Sequence, residues 1–394
     1  MRRDFPVLTV LALTQITGWG AVGVLAVIAG PVARTFAVPL PTVFLATSVM
    51  FITMGLVAPL AGRAFRRFGA RQVMALGAGL IGVGLASMAL APNLPAFWIS
   101  WALIGSAGAL FLTTAAYAYI ADYAGERARG LIGTLMLVTG LAGSVFWPAT
   151  TFLEGLAGWR GVVFVYAGAM VLIVMPSVRF GLPPATASAA EGTPGARGRT
   201  GRVFLLMVAA IALNSFVTFG IEAIGIQLLQ TLGMELAGAV ATASLLGVFK
   251  VGGRVIDLLG GQRWDGLATG IVSGAMIPLG LAAMWIGGAS MISVGGYLVL
   301  FGVGSGAFAV ARATMPLVFF AKADYAAAMA TIALPMNLIN ALAPPLLAGL
   351  MTGIGAQAVF AMLGTMSLVA LLLLLRLNAL RGQEVVAPPS SAAR

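Results

Sequence analysis

Apolar residues in this chain come in long runs, not in the alternating pattern of a half-buried strand or the single stripe of a surface helix. Dividing the sequence at its charges, prolines and glycines leaves twelve such runs. They lie near 7–33, 42–61, 72–91, 97–121, 131–153, 161–181, 203–230, 237–258, 267–288, 291–320, 327–351 and 356–380. Most match or exceed the about 20 residues that an α-helix needs to cross a bilayer. Several connections, Pro92 to Ala96 among them, leave room only for an antiparallel return. The pattern predicts an all-α membrane protein with twelve transmembrane helices.

Positive charge sets the orientation. With the N-terminus inside, Arg2, Arg3, Arg63, Arg66, Arg67, Arg71, Arg127, Arg129, Arg179, Arg197, Arg199, Arg202, Arg263, Lys322, Arg376, Arg381 and Arg394 fall on the cytoplasmic side, and the outer loops hold only Arg34 and Arg160. Lys and Arg concentrate on the cytoplasmic side of membrane proteins, so both termini are expected there. Met1-Arg2-Arg3 and the apolar run behind it resemble a leader peptide. That run is longer than a leader's core of about 7–15 residues, so it is read as a retained first helix.

Composition narrows the possibilities further. The chain has 394 residues, 60% hydrophobic and 8% charged, where a soluble domain carries about 25% charged residues. The net charge of +11 sits in loops, as a topology signal, so no nucleic-acid partner is expected. There is no Cys and no His. Disulfides, thiolate or imidazole metal sites, Ser-His or Cys-His catalysis and His proton relays are therefore excluded. Neither cofactor nor metal is expected. Gly77-Ala78-Gly79-Leu80-Ile81-Gly82 has dinucleotide-loop spacing but lies inside an apolar run with no strand before it.

One segment breaks the rhythm. Leu182 to Thr200 is rich in Pro, Ala, Gly and Thr and has no apolar period. The expected organisation is a six-helix bundle over 1–181, a cytoplasmic linker over 182–201, a second six-helix bundle over 202–382 and a disordered tail over 383–394. The halves look repeated. Gly62-Arg63-Ala64-Phe65-Arg66-Arg67-Phe68-Gly69 and Gly253-Arg254-Val255-Ile256-Asp257-Leu258-Leu259-Gly260 lie nearly half a chain apart, and each has Gly-Arg and then Gly at the same spacing.

These residues resemble the major facilitator superfamily. Its loop between helices 2 and 3 reads G-x-x-x-D-R/K-x-G-x-R/K-R/K, and here Gly62, Arg67, Gly69 and Arg71 fit, while Arg66 stands in the acidic position. The second copy keeps the acid as Asp257 and loses the first base to Leu258. Gly125-Glu126-Arg127-Ala128-Arg129-Gly130 resembles the family's E-R-x-R loop after helix 4, and Gly158-Trp159-Arg160 its frequent G-W-R before helix 6. The resemblance implies two pseudo-symmetric six-helix bundles. It also implies a conformational role for Gly62, Arg66, Arg67, Gly69, Arg71, Arg127, Gly253, Arg254, Asp257 and Gly260. Arg66 cannot make the acid's latch, so either the latch is lacking here or Asp257 carries its counterpart in the other half, and Arg254 and Asp257 stand where they can pair.

A charge within a span costs at least about 2.5–3.5 kcal/mol and so faces a cavity or a partner. Asn214, Thr218 and Glu222 recur every four residues and share one face. Glu222 is the candidate for coupling or charge compensation. Lys250 either holds an anionic substrate or snorkels to the cytoplasm. Arg312 either binds a carboxylate or pairs with Asp324. The resemblance places helices 1, 4, 7 and 10 around a central cavity, which adds Gln15, Trp19, Thr113, Tyr117 and Ser305, and Asn337 and Asn340 join them from helix 11. Thr17-Gly18-Trp19-Gly20 resembles the start of monocarboxylate carriers without its acid.

The expected function is secondary active transport of a small organic anion by alternating access. The rival readings are drug or metabolite efflux by the same fold, and a receptor or channel. The expected partners are a small-molecule substrate, the lipid bilayer and protons, with the protein acting as a monomer. The Ala-, Gly- and Arg-rich composition suits a bacterial inner membrane.

Overall fold

The computed structural model describes residues 4–184, 201–260, 265–319 and 325–384, and every regular element among them is helical. Ten stretches are long and apolar enough to cross a membrane: Phe5–Phe36, Leu40–Phe68, Ala70–Ala89, Leu94–Ala124, Gly130–Gly181, Arg202–Thr231, Leu236–Gly260, Gly266–Gly287, Met291–Thr314 and Leu338–Arg381. Large apolar side chains such as Leu156, Leu172, Ile286 and Leu342 point outward, as a lipid-facing surface requires.

Two of these stretches are too long for one crossing. Gly130–Gly181 has 52 residues and Leu338–Arg381 has 44. Each contains a glycine with left-handed backbone, Gly158 at φ +66° and Gly355 at φ +82°, a conformation costly for any residue with a Cβ. Thr150 and Tyr166 flank Gly158, and their hydroxyls meet at 2.7 Å. In a straight helix they would stand about 24 Å apart, so the chain folds back at Gly158.

Three helices are interrupted near their middles. Phe5–Val22 gives way to Leu25–Phe36, Leu94–Phe111 to Thr113–Ala124, and Ala128–Thr139 to Ala142–Ala169. Leu112 at the second break has ψ −166°. Two further segments, Met170–Val174 and Leu298–Val303, are wound as π-helix. Elsewhere small residues let backbones touch. A Cβ on Gly306 would collide with the Lys250 carbonyl, and one on Gly105 with the Met50 carbonyl.

Polar side chains staple the ends of the bundle. Arg160 donates from Nε to the Ala89 carbonyl at 3.0 Å and from Nη2 to the Ala91 carbonyl at 2.9 Å. It therefore closes a turn between helices. Arg71 donates to the Leu182 carbonyl at 3.2 Å, and the Tyr119 hydroxyl to the Pro183 carbonyl at 2.9 Å, fixing the first residues of the expected linker. Arg127 pairs with Asp4. Asp265 caps the Gly266–Gly287 helix through the Leu267 and Ala268 N–H groups and pairs with Arg381.

The pairing open to Arg254 and Asp257 is not formed. Asp257 accepts from the Thr269 hydroxyl at 2.6 Å, and Arg254 turns toward the Met136 carbonyl. The two residues are three apart, but their side chains serve different neighbours. Residues 185–200 of the linker, the 385–394 part of the tail, Arg263, Lys322 and Asp324 lie outside the described residues, as do the side chains of Arg129 and Asn337.

Candidate functional site

A cavity of about 410 Å³ opens inside the bundle. The broken helices border it, with Gly23, Thr113 and Gly140 all in its wall. Irregular backbone at membrane depth is tolerated where it lines a cavity.

Four charged side chains line this space: Glu222, Lys250, Arg254 and Arg312. Glu222 extends from the Arg202–Thr231 helix and Lys250 from Leu236–Gly260, and the two form an ion pair. Their surroundings differ. The Lys250 side chain is 8% exposed and that of Glu222 is 45% exposed. Lys250 thus turns to the cavity wall, where Glu222 balances its charge.

The arginines are placed differently. Arg254 donates to the Met136 carbonyl from Nη1, and its Nε is buried without a partner. Among the described residues, Arg312 reaches the Ser215 hydroxyl, at 3.5 Å. Among the described residues neither guanidinium meets a carboxylate within 4 Å. With Lys250 matched to Glu222, two positive charges in the wall stay uncompensated.

Of the residues expected at a central site, Trp19, Thr113, Tyr117, Thr218, Glu222, Lys250, Ser305, Arg312 and Asn340 line the cavity. The Asn340 Oδ1 is buried and has no partner among the described residues. Trp19 donates its indole N–H to the Thr113 hydroxyl at 2.7 Å.

Gln15 and Asn214 stand elsewhere. Gln15 is fully buried and donates to the Phe111 carbonyl at 2.9 Å, beside the break at Leu112. The break takes that carbonyl out of regular helical bonding, and Gln15 serves the backbone there. Asn214 is likewise fully buried and accepts from the Ser367 hydroxyl at 3.1 Å. Interhelical bonding is a common use of such groups in membranes.

Arg254 is the cavity residue that sequence reasoning assigned elsewhere, to a repeated loop motif. Its signal was its spacing. Lys250 and Arg254 are four apart and so share a helix face. Aromatic side chains also enter the wall, among them Phe51, Trp147 and Phe219. Nothing in an apolar run distinguishes these from packing residues.

Comparison with known proteins fits this architecture. The family model for the Major Facilitator Superfamily matches residues 10–301. An MFS-type transporter of Bacillus subtilis (strain 168), YcxA, is 25% identical over 160 residues, 39% of this chain and 38% of that protein. Monocarboxylate transporter 11 of Mus musculus is 28% identical over 233 residues, 55% of this chain and 51% of that protein. The matched regions thus span about half or less of these relatives. In three dimensions, the crystal structure of a bacterial homologue of the human lysosomal transporter Spinster, inward-facing and occupied, superposes with a TM-score of 0.70 at 17% identity, covering 97% of both chains. The chain belongs to the Major Facilitator Superfamily and is a multi-pass membrane protein.

Proposed function

We propose that this protein is a secondary active carrier moving a small organic anion by alternating access. One observation carries the reading: Arg254 and Arg312 face a single cavity with no carboxylate partner among the described residues. In a space of lowered dielectric, uncompensated positive charge favours an anionic guest. A guanidinium is a planar fork matched to carboxylate geometry. The name of the mouse relative, a monocarboxylate transporter, agrees with this chemistry.

In this reading the ten apolar stretches make twelve crossings, with reversals at Gly158 and Gly355, and both termini are cytoplasmic. Residues 1–181 and 202–382 are the two six-helix halves, joined by 182–201. They meet through Gln227 on the Ala26 carbonyl, Ser144 on the Ser244 carbonyl, Ser48 on the Ala341 carbonyl and Arg254 on the Met136 carbonyl. Rocking the halves breaks some of these bonds and exposes the site to alternate sides. Glu222 serves coupling: proton uptake there removes the negative charge that faces Lys250 and leaves Lys250 unmatched, which strengthens the pull on an anion. The protein works as a monomer in a bacterial inner membrane.

The test is counterflow in proteoliposomes containing the purified chain, with radiolabelled carboxylates set against lipophilic cations. Saturable carboxylate exchange that Arg312→Ala abolishes is the expected result. Exchange of cations alone, or carboxylate exchange indifferent to Arg312→Ala, overturns the reading.

A further inference from the structure

The charged groups are spread unevenly along the cavity. Arg312 reaches Ser215, whereas Lys250 meets Glu222 two turns further along the same helix. Phe219 lies between those levels and packs edge-on against Phe51, ring centroids 5.0 Å apart. Facing it, Met136, the residue held by Arg254, and Trp147 lie eleven residues apart on one interrupted helix, about 16 Å of rise. The guanidiniums thus occupy one end, and the wall beyond them carries aromatic rings together with the Lys250–Glu222 pair. Trp19 has already spent its N–H on Thr113, so what it offers the cavity is its ring.

Size points the same way. A volume of about 410 Å³ falls in the range of sites that enclose a drug-sized ligand. A three-carbon acid gripped by the arginines would leave most of the aromatic end unfilled. From this, and resting on the anion reading above, we infer that the substrate is an aromatic carboxylate of one or two rings. Its carboxylate sits between Arg254 and Arg312, and its ring lies among Trp19, Trp147 and Phe219. A flat apolar body satisfies the aromatic walls by stacking and edge contact, while the fixed fork of each arginine sets its direction.

The test is equilibrium binding to the purified full chain in lipid nanodiscs at pH 7.5. The probes are 2-naphthoate, L-lactate, succinate and tetraphenylphosphonium. The expected result is that 2-naphthoate binds at least about ten-fold more tightly than L-lactate or succinate. Arg312→Ala should abolish 2-naphthoate binding, and Arg312→Lys should weaken it. Trp147→Ala and Phe219→Ala, each with an unchanged melting profile, should narrow the preference over L-lactate several-fold.

L-lactate or succinate binding as tightly as 2-naphthoate overturns the aromatic inference and leaves the anion reading standing. A preference that survives both aromatic substitutions does the same. Binding of tetraphenylphosphonium without any carboxylate overturns both. No 2-naphthoate binding up to about 10 mM, a Kd beyond the weak end of specific recognition, overturns the inference whatever else binds.

Discussion

The Arg254 guanidinium lies where a side chain on Gly140 would begin: its Nη1 is 2.5 Å from the position of a Cβ there. The contact joins the Leu236–Gly260 helix to the break between Ala128–Thr139 and Ala142–Ala169, across the expected boundary between halves. Gly140→Ala should therefore displace the guanidinium from the Met136 carbonyl without disturbing helix geometry. Losing a charge-assisted hydrogen bond of about 1.5 kcal/mol shifts the population of the state that makes it roughly ten-fold, and a carrier held away from one of its two states turns over more slowly. A transport assay alongside a melting curve checks this: the rate should fall while the Tm stays within a few degrees. An unchanged rate would mean that the contact is incidental.

The Lys250–Glu222 pair is asymmetric, and so are its expected deletions. Removing Glu222 strands a cation that is 8% exposed, whereas removing Lys250 leaves a carboxylate already open to the cavity. Breaking a buried pair from the side that leaves a buried charge costs about 3–5 kcal/mol, and the half-open geometry here brings that nearer 2 kcal/mol. Glu222→Ala should lower thermal stability in detergent clearly more than Lys250→Met. Equal losses would contradict the burial argument.

Coupling has its own readout. Glu222→Gln keeps the side chain's shape and removes its titration. The variant should still catalyse exchange of labelled substrate while losing accumulation driven by a pH gradient. Accumulation at the wild-type level would exclude Glu222 as the coupling group.

Gln15 should matter for folding and little for substrate. Gln15→Leu leaves the Phe111 carbonyl without its side-chain donor, a loss of about 1–3 kcal/mol for a buried acceptor. Because Gln15 stands outside the cavity wall, substrate affinity should change less than about two-fold. A binding titration on the variant decides it, and a large affinity change would place Gln15 at the site after all.

Asp265 gives a pH signature at the bundle end. Burial pushes its carboxyl up, but the Ala268 and Leu267 N–H groups and Arg381 together hold it below the usual Asp range. Its folded-state pKa therefore lies under the unfolded value of about 3.9, so its stabilising effect is complete above that pH and fades as pH falls through the folded value. The stability gap between the wild type and Asp265→Ala should be constant from pH 5 to pH 8 and narrow as pH falls below the usual Asp range. A gap that persists there would assign the effect to helix packing.

Much of this was legible in the apolar runs. The ten stretches fall where the sequence pattern put spans, because a segment in lipid must satisfy its own backbone and so declares its length. Glu222, Lys250 and Arg312 stood out for the same reason: a charge in an apolar run needs an explanation. Gln15 and Asn214 show the limit. A polar side chain looks alike in sequence whether it faces a void or repairs a backbone, and the break at Leu112 carries neither Gly nor Pro to announce itself. Arg254 was obscured by its place in a repeated motif near a helix end.

The π-wound turn at Leu298–Val303 stands directly before the segment that carries Ser305 and Arg312. Such a turn accommodates one residue more than regular winding would, and each residue advances a helix by about 100°. Rewinding that turn as regular helix with all its residues kept would swing both side chains roughly a quarter of the way round their axis and carry the guanidinium out of the chamber. Selectivity at this end of the binding chamber thus depends on the winding of the turn upstream as much as on the identity of the arginine.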